Sequence, residues 1–584
     1  MTRISHTLFA ISTCGLLATA AAAQQSAVRR PDPRLNLAPG WTDARQAILN
    51  LELVAHRPRP DGFVNAADPG SFAFANSDLA FAGDLVFQGS FNGWQVWDIS
   101  DPGKPTLRKA FPCPGGQGDL SIHRNLLIMS VEMPNGRVDC GTTGVSDSVS
   151  ADRFTGVRIF DVSDLDRPRQ VAAVQTCRGS HTHTLVTDPN DPANIYVYVS
   201  GVSPVRPAAE LAGCSGLPPE QDAATALFRI EVIRVPVAAP HEARIVNTPR
   251  IFADSTGNIA GLWQGGTHGT GTQETAVTDQ CHDITAFTEI GLAAGACSGN
   301  GILLDIRDPA NPRRIDQVTD PNFAYWHSAT FNNDGTRVLF TDEWGGGTQP
   351  RCRVTDRPEW GANAIFTREA GRLRFAGYYK IPAQSATENC VAHNGSLIPV
   401  PGRDIMVQGW YQGGISVFDF TDPAHPIEIA YFDRGAISTT RVVLGGHWSA
   451  YWYNGLIIGS EIARGLDILR LTPSEFLSEN EIEAARLVRM ESFNAQNQTK
   501  FSWPATFVVA RAYVDGLLRS DGLRRAWADD VREQLDSAER MSGAARQAPL
   551  SALAARLETE AQTTRDAARL RALAAVVRAL AMPR

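Results

Sequence analysis

Short β-rich runs recur along the chain, and each begins at a glycine and ends at an aspartate followed by a polar turn. Runs of this composition, closed by turn residues, are typical of strands. The turn joins Ser, Thr or Arg to Asp and usually carries proline, which cannot continue a strand. A unit that recurs at intervals of several tens of residues predicts an array of one supersecondary structure. Four copies lie at residues 93–102, 156–164, 301–309 and 414–423.

Pairing an early strand pattern with the later Gly…Asp run, or with the strand that takes its place, divides the chain into seven units. Several short strands per unit, with no helical stretch between units, predict an all-β seven-bladed β-propeller. A solenoid is the alternative, but unit length varies, with an insertion near residues 142–154, and this fits the loops of blades better. The predicted units begin at Phe74, Asp119, Ser180, Cys281, Tyr325, Val391 and His447.

The two ends of the chain have different patterns. Residues 24–72 predict a polar lead-in with a short helix at about 41–51. Residues 472–475 and 478–481 each place Ser or Thr three positions before Glu, which is typical of a helix start. Apolar residues at helical spacing then predict a C-terminal α-helical domain, although a basic amphipathic helix on a membrane is the alternative. The predicted divisions are a signal peptide at 1–23, a lead-in at 24–72, a propeller at 73–475 and a helical domain at 476–584.

The first 23 residues have the features of an export signal. Arg3 precedes an apolar stretch, and Ala21, Ala22 and Ala23 form a small-residue cleavage site. Lipidation at Cys14 is the alternative, but the residues before it make a poor lipidation motif. No other stretch is long enough to predict a transmembrane span. The sequence therefore predicts an exported protein, either periplasmic or extracellular.

Eight cysteines follow the predicted signal peptide. An even number of cysteines in an oxidising compartment favours disulfides, and no C-x-x-C pair points to a thiolate metal site. The sequence does not fix the pairing, and four sequential local pairs are the simplest prediction: Cys113–Cys140, Cys177–Cys214, Cys281–Cys297 and Cys352–Cys390.

The charge balance is mildly acidic, with 62 Asp and Glu against 54 Lys and Arg and a net charge of −8. This balance argues against nucleic acid as a partner, because nucleic-acid-binding surfaces are strongly basic.

The repeated Gly…Asp run with its Asp-Pro-x-x-Pro tail resembles the LVIVD-repeat proteins over about residues 74–475. The resemblance implies a secreted or cell-surface β-propeller. It implies no particular chemistry, because that family has no general assigned activity. Its members often end in a surface anchor, whereas this chain ends in charged helical sequence.

Histidines recur near the predicted start of the first strand in six of the seven units, and unit one has Ser77 and Asp78 there. In a propeller these positions meet at one mouth of the central channel. Clustered neutral imidazoles suit copper, zinc or iron. The alternative is a structural histidine that is repeated with the fold. The six units contribute His123, His181 with His183, His282, His327, His393 and His447.

We therefore take five histidines as candidate metal ligands: His181, His183, His282, His327 and His393. His181 and His183 form an H-x-H pair, which on a strand directs both rings to one face. Asp283, Asp342 and Glu343 are candidate carboxylate ligands or partners of the ligands.

Two functions follow. The first is a binding or scaffold module that engages a protein, peptide or glycan on a propeller face, because the sequence has no G-x-S-x-G or H-E-x-x-H motif. The alternative is a metal-dependent redox enzyme with a histidine ring at the propeller axis. The repeated aspartates at 98, 161, 305 and 419 are assigned to turn capping rather than to calcium.

Overall fold

The computed structural model describes residues 32–382 and 385–582. It is mostly β, with 34% of residues in strands and 14% in helices. The predicted signal peptide and Cys14 lie outside the described residues.

The lead-in contributes strands and not the helix predicted at 41–51, so that prediction was wrong. β1 (Gln46–Leu49) and β2 (Leu51–Arg57) pair antiparallel with the segments Ile427–Arg434 and Gly465–Leu471. Ladder hydrogen bonds to partners so far along the chain outweigh the local helical pattern. A short 3₁₀ turn, Phe72–Phe74, follows.

Runs of four antiparallel strands, here called units one to seven in chain order, make up most of the β structure. Unit one contains β3 (Asn76–Ala82), β4 (Leu85–Ser90), β5 (Gly93–Asp98) and β6 (Thr106–Pro112). Unit two contains β7 (Leu120–His123), β8 (Leu126–Val131), β9 (Gly156–Asp161) and β10 (Arg169–Gln175). Unit three contains β11 (Thr184–Thr187), β12 (Asn194–Val199), β13 (Glu231–Pro236) and β14 (Arg244–Asn247).

A two-stranded sheet of β15 (Gly266–Thr267) and β16 (Glu274–Thr275) precedes the later units. Unit four contains β17 (Ile284–Phe287), β18 (Leu292–Cys297), β19 (Asn300–Asp305) and β20 (Arg313–Val318). Unit five contains β21 (Trp326–Phe331), β22 (Arg337–Asp342), β23 (Asn363–Glu369) and β24 (Arg372–Tyr379). Unit six contains β25 (Asn394–Ile398), β26 (Ile405–Gly409), β27 (Ile415–Asp419) and β28 (Ile427–Arg434).

Unit seven is completed by the lead-in. It contains β29 (His447–Tyr453), β30 (Leu456–Glu461) and β31 (Gly465–Leu471), with β2 as its fourth strand. A short parallel pairing of β25 with β29 joins units six and seven into one nine-stranded sheet. The other units are separate sheets, so the described residues do not form one closed hydrogen-bonded sheet.

The repeated glycine and aspartate have local structural causes. Gly93, at the start of β5, has φ 133°, and a Cβ there would lie 2.1 Å from the Phe111 carbonyl oxygen, so only glycine fits. Asp98, at the end of β5, accepts a hydrogen bond from the Ser100 backbone N–H at 3.0 Å. Asp161 does the same for Ser163, which is the geometry of a capped turn.

The C-terminal part is helical. The helix start predicted at 478–481 is present, because Ser478 and Glu481 form a capping box at the first helix, whereas residues 472–475 begin no helix. Helices α2 to α5 share one apolar core. The elements are α1 (Glu479–Arg486), a short strand β32 (Ser492–Asn494), α2 (Phe507–Arg519), α3 (Arg525–Glu539), α4 (Gly543–Glu560) and α5 (Ala567–Leu580).

Residues 492–498, here called the crossing segment, contact the ends of several first strands. β32 pairs antiparallel with β3. The Asn494 side chain both accepts from and donates to the Ile122 backbone, and Gln498 does the same with Phe331. The helical part is thereby joined to units one, two and five at the ends of β3, β7 and β21.

Four disulfides fasten loops of the β region, and the chain separation of the paired cysteines runs from 16 to 38 residues. They pair consecutive cysteines: Cys113–Cys140, Cys177–Cys214, Cys281–Cys297 and Cys352–Cys390. In the part of the chain that the structure describes, no helix combines the length and apolar character needed to cross a membrane.

Candidate metal centre

Four histidines from units three to six form a continuous row of rings. The ring centroids are 4.4 Å apart for His181 and His282, 3.8 Å for His282 and His327, and 4.2 Å for His327 and His393. Three of these rings are almost completely buried, and His181 is the most exposed of the four. These four histidines, which are spread over more than 200 positions of the sequence, thus lie side by side.

The strand topology explains this convergence. His181, His282 and His393 stand just before β11, β17 and β25, and His327 is the second residue of β21. Neighbouring first strands are held level by hydrogen bonds. Thr184 Oγ1 donates to the Ile284 carbonyl, and the Asp283 backbone N–H donates to the His327 carbonyl at 2.9 Å. Histidines at equivalent positions of neighbouring first strands therefore lie at the same level along the strands.

His181 and His282 approach each other through their Nε2 atoms, which are 2.7 Å apart. Their Nδ1 atoms point away from this contact. Nδ1 of His181 is hydrogen-bonded to Glu132, and Nδ1 of His282 lies 3.1 Å from Asp283 Oδ1. Carboxylates at Nδ1 orient the rings and direct Nε2 toward the site, as in many metal centres.

His327 and His393 have the same orientation. His393 donates its Nδ1–H to the Trp448 carbonyl at 2.5 Å, which leaves a lone pair on Nε2. Nδ1 of His327 lies 3.4 Å from Thr341 Oγ1. The Nε2 atoms of both rings lie 3.8 Å from the carboxylate oxygens of Glu343. His327 and His393 therefore present Nε2 to Glu343, while His181 and His282 present theirs to each other.

Glu343 completes the group. One ligand atom from each of His282, His327 and Glu343 lies within 4.8 Å of the other two. Tyr411 donates its hydroxyl to Glu343 Oε1 and fixes that carboxylate. Burial raises the pKa of Glu343 to about 7, although the Tyr411 hydrogen bond acts in the opposite direction.

Electrostatics divide the four histidines into two kinds. Burial lowers the pKa values of His282, His327 and His393 well below the usual range, so these rings are neutral at pH 7. Burial also lowers the pKa of His181, but the Glu132 carboxylate raises it by more, to about 9. A protonated His181 can donate to the lone pair of His282, which accounts for their short Nε2 separation.

His183 makes no ring contact with the row of four histidines among the described residues, and the shared face of the H-x-H pair stays a prediction. β11 begins only at Thr184, and the alternation of a strand does not apply to the irregular residues before it. The Nδ1 atom of His183 lies 2.8 Å from Ser130 Oγ and 3.2 Å from Asp119 Oδ2. His183 is therefore packed against unit two.

The two remaining histidines of the predicted series are also elsewhere. His123 is the last residue of β7 and not near its start, so it lies at the opposite end of that strand. His447 begins β29, but its Nε2 lies 2.9 Å from Asp467 Oδ2, a carboxylate that also binds Arg434. The histidine of unit seven thus takes part in a buried ion-pair network.

Sequence reasoning missed two of the residues that complete the site. Glu132 follows β8 and Tyr411 follows β26, the second strands of their units, just as Glu343 follows β22. In an antiparallel unit the end of the second strand lies beside the start of the first. The same topology that brings the histidines together could therefore have indicated residues after the second strands.

The row of histidines borders a cavity of about 640 Å³. His181, His282, His393 and Glu343 form its floor, and its walls are apolar and aromatic. Phe72, Phe91, Met133, Leu444 and Trp448 are among the wall residues.

No protein-family model matches the chain, and no curated protein matches it. It is similar to the solved structure of Kuenenia stuttgartiensis hydrazine synthase, at 10% identity over 70% of this chain and 99% of that chain, with a TM-score of 0.42. It is also similar to the N-terminal domain of Nup159, at 9% identity over 74% and 98%, with a TM-score of 0.39. A hypothetical selenium-binding protein from Sulfolobus tokodaii gives 11% identity over 51% and 64%, with a TM-score of 0.31. The first two are β-propeller-like proteins.

Proposed function

We propose that the row of histidines binds one transition-metal ion, with His181, His282, His327, His393 and Glu343 as the set from which its ligands come. The observation that carries this proposal is the shared orientation of the rings. Each Nδ1 is engaged by a neighbouring oxygen, while the Nε2 atoms of His327 and His393 face Glu343 and those of His181 and His282 face each other. A purely structural histidine does not require its Nε2 atom to face the Nε2 atoms or carboxylates of other site residues.

The chemistry of these groups fits copper, zinc or iron. Imidazole nitrogens suit all three metals, and a carboxylate oxygen is a common additional ligand. Metal–nitrogen bonds of about 2.0–2.1 Å place tetrahedral ligand atoms about 3.3 Å apart. Nε2 of His181 and Nε2 of His282 are 2.7 Å apart, and one ligand atom from each of His282, His327 and Glu343 lies within 4.8 Å of the other two, so this part of the row is close to the spacing that one ion needs. Three of the histidines are already neutral, as metal binding requires.

We propose that the metal makes the protein a metal-dependent enzyme. Bound copper or iron would supply one-electron redox chemistry, and bound zinc would supply a Lewis acid. The residues of the chain hold the metal, and the apolar walls of the cavity limit water around it. Glu132 and Tyr411 position His181 and Glu343 through direct hydrogen bonds.

For the fold, we propose that units one to seven are the blades of a seven-bladed β-propeller of the LVIVD type, spanning residues 73–475. The repeated four-stranded antiparallel unit supports this arrangement, as does the completion of unit seven by a strand from the lead-in. The site would then lie at one mouth of the central channel, and the crossing segment at the other. Residues 24–72 form the lead-in and residues 476–584 the helical domain.

We also propose that the protein is exported to the periplasm or beyond the cell. The four disulfides support this location, because such bonds persist in oxidising compartments. Residues 1–23 would be the signal peptide that is removed.

The binding or scaffold module predicted from the sequence is the second candidate. It is favoured by a second cavity of about 770 Å³, which the 142–146 loop lines together with Phe72 and Met133. Both of these side chains are more than a third exposed. A protein, peptide or glycan held there would need no metal. Capture of such a partner that survives removal of the metal would favour this candidate.

The metal proposal is tested by elemental analysis of the mature protein, purified without a histidine tag from an oxidising compartment. We expect about one copper, zinc or iron per chain. Replacing His282 and His393 by Ala should remove it, whereas replacing the exposed His425 should not. A protein that is free of metal and takes up none of the three added ions would contradict the proposal.

A further inference from the structure

We propose that the cavity in front of the candidate metal centre binds an uncharged aromatic molecule. This inference rests on the proposed function for the role of the metal. The side chains of the cavity walls determine which ligand binds.

Aromatic side chains form one continuous part of the cavity wall. Phe72 and Phe91 make an edge-to-face contact with their centroids 5.7 Å apart, and Phe91 meets Trp448 at 6.2 Å. Trp448 in turn packs against His393 at 4.9 Å and Tyr411 at 6.3 Å. This aromatic wall runs from the cavity mouth to the metal ligands. A planar ring placed against it gains edge-to-face and stacking contacts.

The charges of the cavity favour a neutral occupant. Among the described residues that line it, none is a lysine or an arginine. In the metal-free protein an anion would therefore meet two carboxylates, Glu132 and Glu343, without a fixed cation other than the already paired His181. A cation would gain little, because His181 already engages Glu132 and Tyr411 engages Glu343. Desolvating either kind of ion here would cost binding free energy.

The available volume sets the size. The cavity of about 640 Å³ has the volume of a small-molecule site. Phe72, Phe91 and Met133 also line the neighbouring cavity of about 770 Å³ beside the 142–146 loop. Substituents on the ring can therefore extend past Phe72 toward the insertion.

The test compares three probes with the same ring: benzyl alcohol, benzoate and benzylammonium. Their binding to the full chain is measured by ligand-observed NMR at pH 7, as purified and after treatment with a chelator. We expect benzyl alcohol to bind at least about tenfold more tightly than either ion to the chelator-treated protein, where no metal charge attracts the carboxylate. Equal or tighter binding of an ion to the chelator-treated protein, or no binding of benzyl alcohol, would overturn the proposal.

Two matched variants locate the binding. Phe72→Ala removes an aromatic ring that is 49% exposed in the cavity wall, and Phe375→Ala removes one that is 50% exposed in unit five. Phe72→Ala should weaken the binding of benzyl alcohol at least about fivefold, and Phe375→Ala should leave it unchanged. Equal effects of the two variants would contradict the proposed location.

Metal content measured on the same samples separates the two proposals. A metal-free protein that keeps the preference for benzyl alcohol refutes the metal centre alone. A protein that binds metal as purified, but whose chelator-treated form lacks that preference, refutes the aromatic ligand alone.

Discussion

Nε2 of His181 lies 2.7 Å from Nε2 of His282, although the two residues are 101 positions apart in sequence. One ring belongs to unit three and the other to unit four, so their contact depends on how neighbouring units align. The Glu132 carboxylate holds His181 in its protonated form, and burial keeps His282 neutral. A metal ion that bound here would take the place of the shared proton and draw on nitrogens that already face one another.

The Tyr411 hydroxyl should matter for metal affinity. Tyr411→Phe removes the hydrogen bond that fixes Glu343, so we expect metal affinity to fall by about 10–100-fold. The measurement is competition with a chelator of known affinity. Tyr379→Phe is the matched control, because this buried hydroxyl binds Ser416 at 2.6 Å outside the site. Equal affinity of the Tyr411 and Tyr379 variants would show that Glu343 does not contribute to the metal site.

The buried Asp467 should give a stability that depends on pH. Arg434 and His447 hold the pKa of Asp467 well below its usual value, despite burial. A carboxyl whose folded pKa is depressed stabilises the fold above its unfolded pKa of about 3.9 and loses this effect as pH falls toward its folded pKa. Asp467→Asn should therefore cost about 3–5 kcal/mol at pH 7, and the difference should shrink below about pH 4.

Melting midpoints between pH 3 and pH 8 provide the measurement for Asp467. Asp422→Asn serves as the control, because Asp422 pairs with His425 at the surface, where an ion pair contributes little. A difference between wild type and Asp467→Asn that stays constant over the whole range would be inconsistent with a charged Asp467.

The crossing segment should contribute to the stability of the β region. Asn494→Ala leaves the Ile122 backbone N–H and carbonyl unpaired in a buried place, at a cost of about 1–3 kcal/mol for each group. Gln498→Ala should act in the same way at Phe331. Urea unfolding measures the cost, and the exposed Gln547→Ala on α4 is the control. Variants as stable as the control would show that the segment is not held by these amides.

Reduction of the four disulfides should lower the melting midpoint. Each bond restricts the conformations of the unfolded chain, and reduction removes that restriction. In the loop-entropy account this lowers the free energy of unfolding by about 2–4 kcal/mol per bond. The reduced sample is compared with the oxidised one, and titration of free thiols verifies complete reduction. An unchanged midpoint would mean that the disulfides do not restrain the unfolded chain.

The repeated units and the convergence of the histidines could be predicted from the sequence, because both follow from one pattern. Each Gly…Asp run marks the third strand of a unit, so the start of the first strand can be counted back from it. The same counting failed for His123, because β7 is short and ends at that residue. It does not place the ring of His183, because the residues before β11 are irregular.

Other features depend on contacts that no local pattern reveals. β2 finds its partner β31 more than 400 residues away, and the ladder determines its conformation. His447 occupies the expected position in unit seven, but a buried Asp467 with Arg434 draws its ring away from the others. The hydrogen bonds of Asn494 and Gln498 to distant strand ends likewise have no signature in the sequence around them.

X-ray absorption of the metal-loaded protein shows whether Nε2 atoms of this histidine row bind the metal. We expect three or four nitrogen scatterers at about 2.0–2.1 Å with the multiple scattering of imidazole, and their loss in the His282→Ala and His327→Ala double variant. A shell made only of water or carboxylate oxygens, or a spectrum that the double variant leaves unchanged, would contradict it.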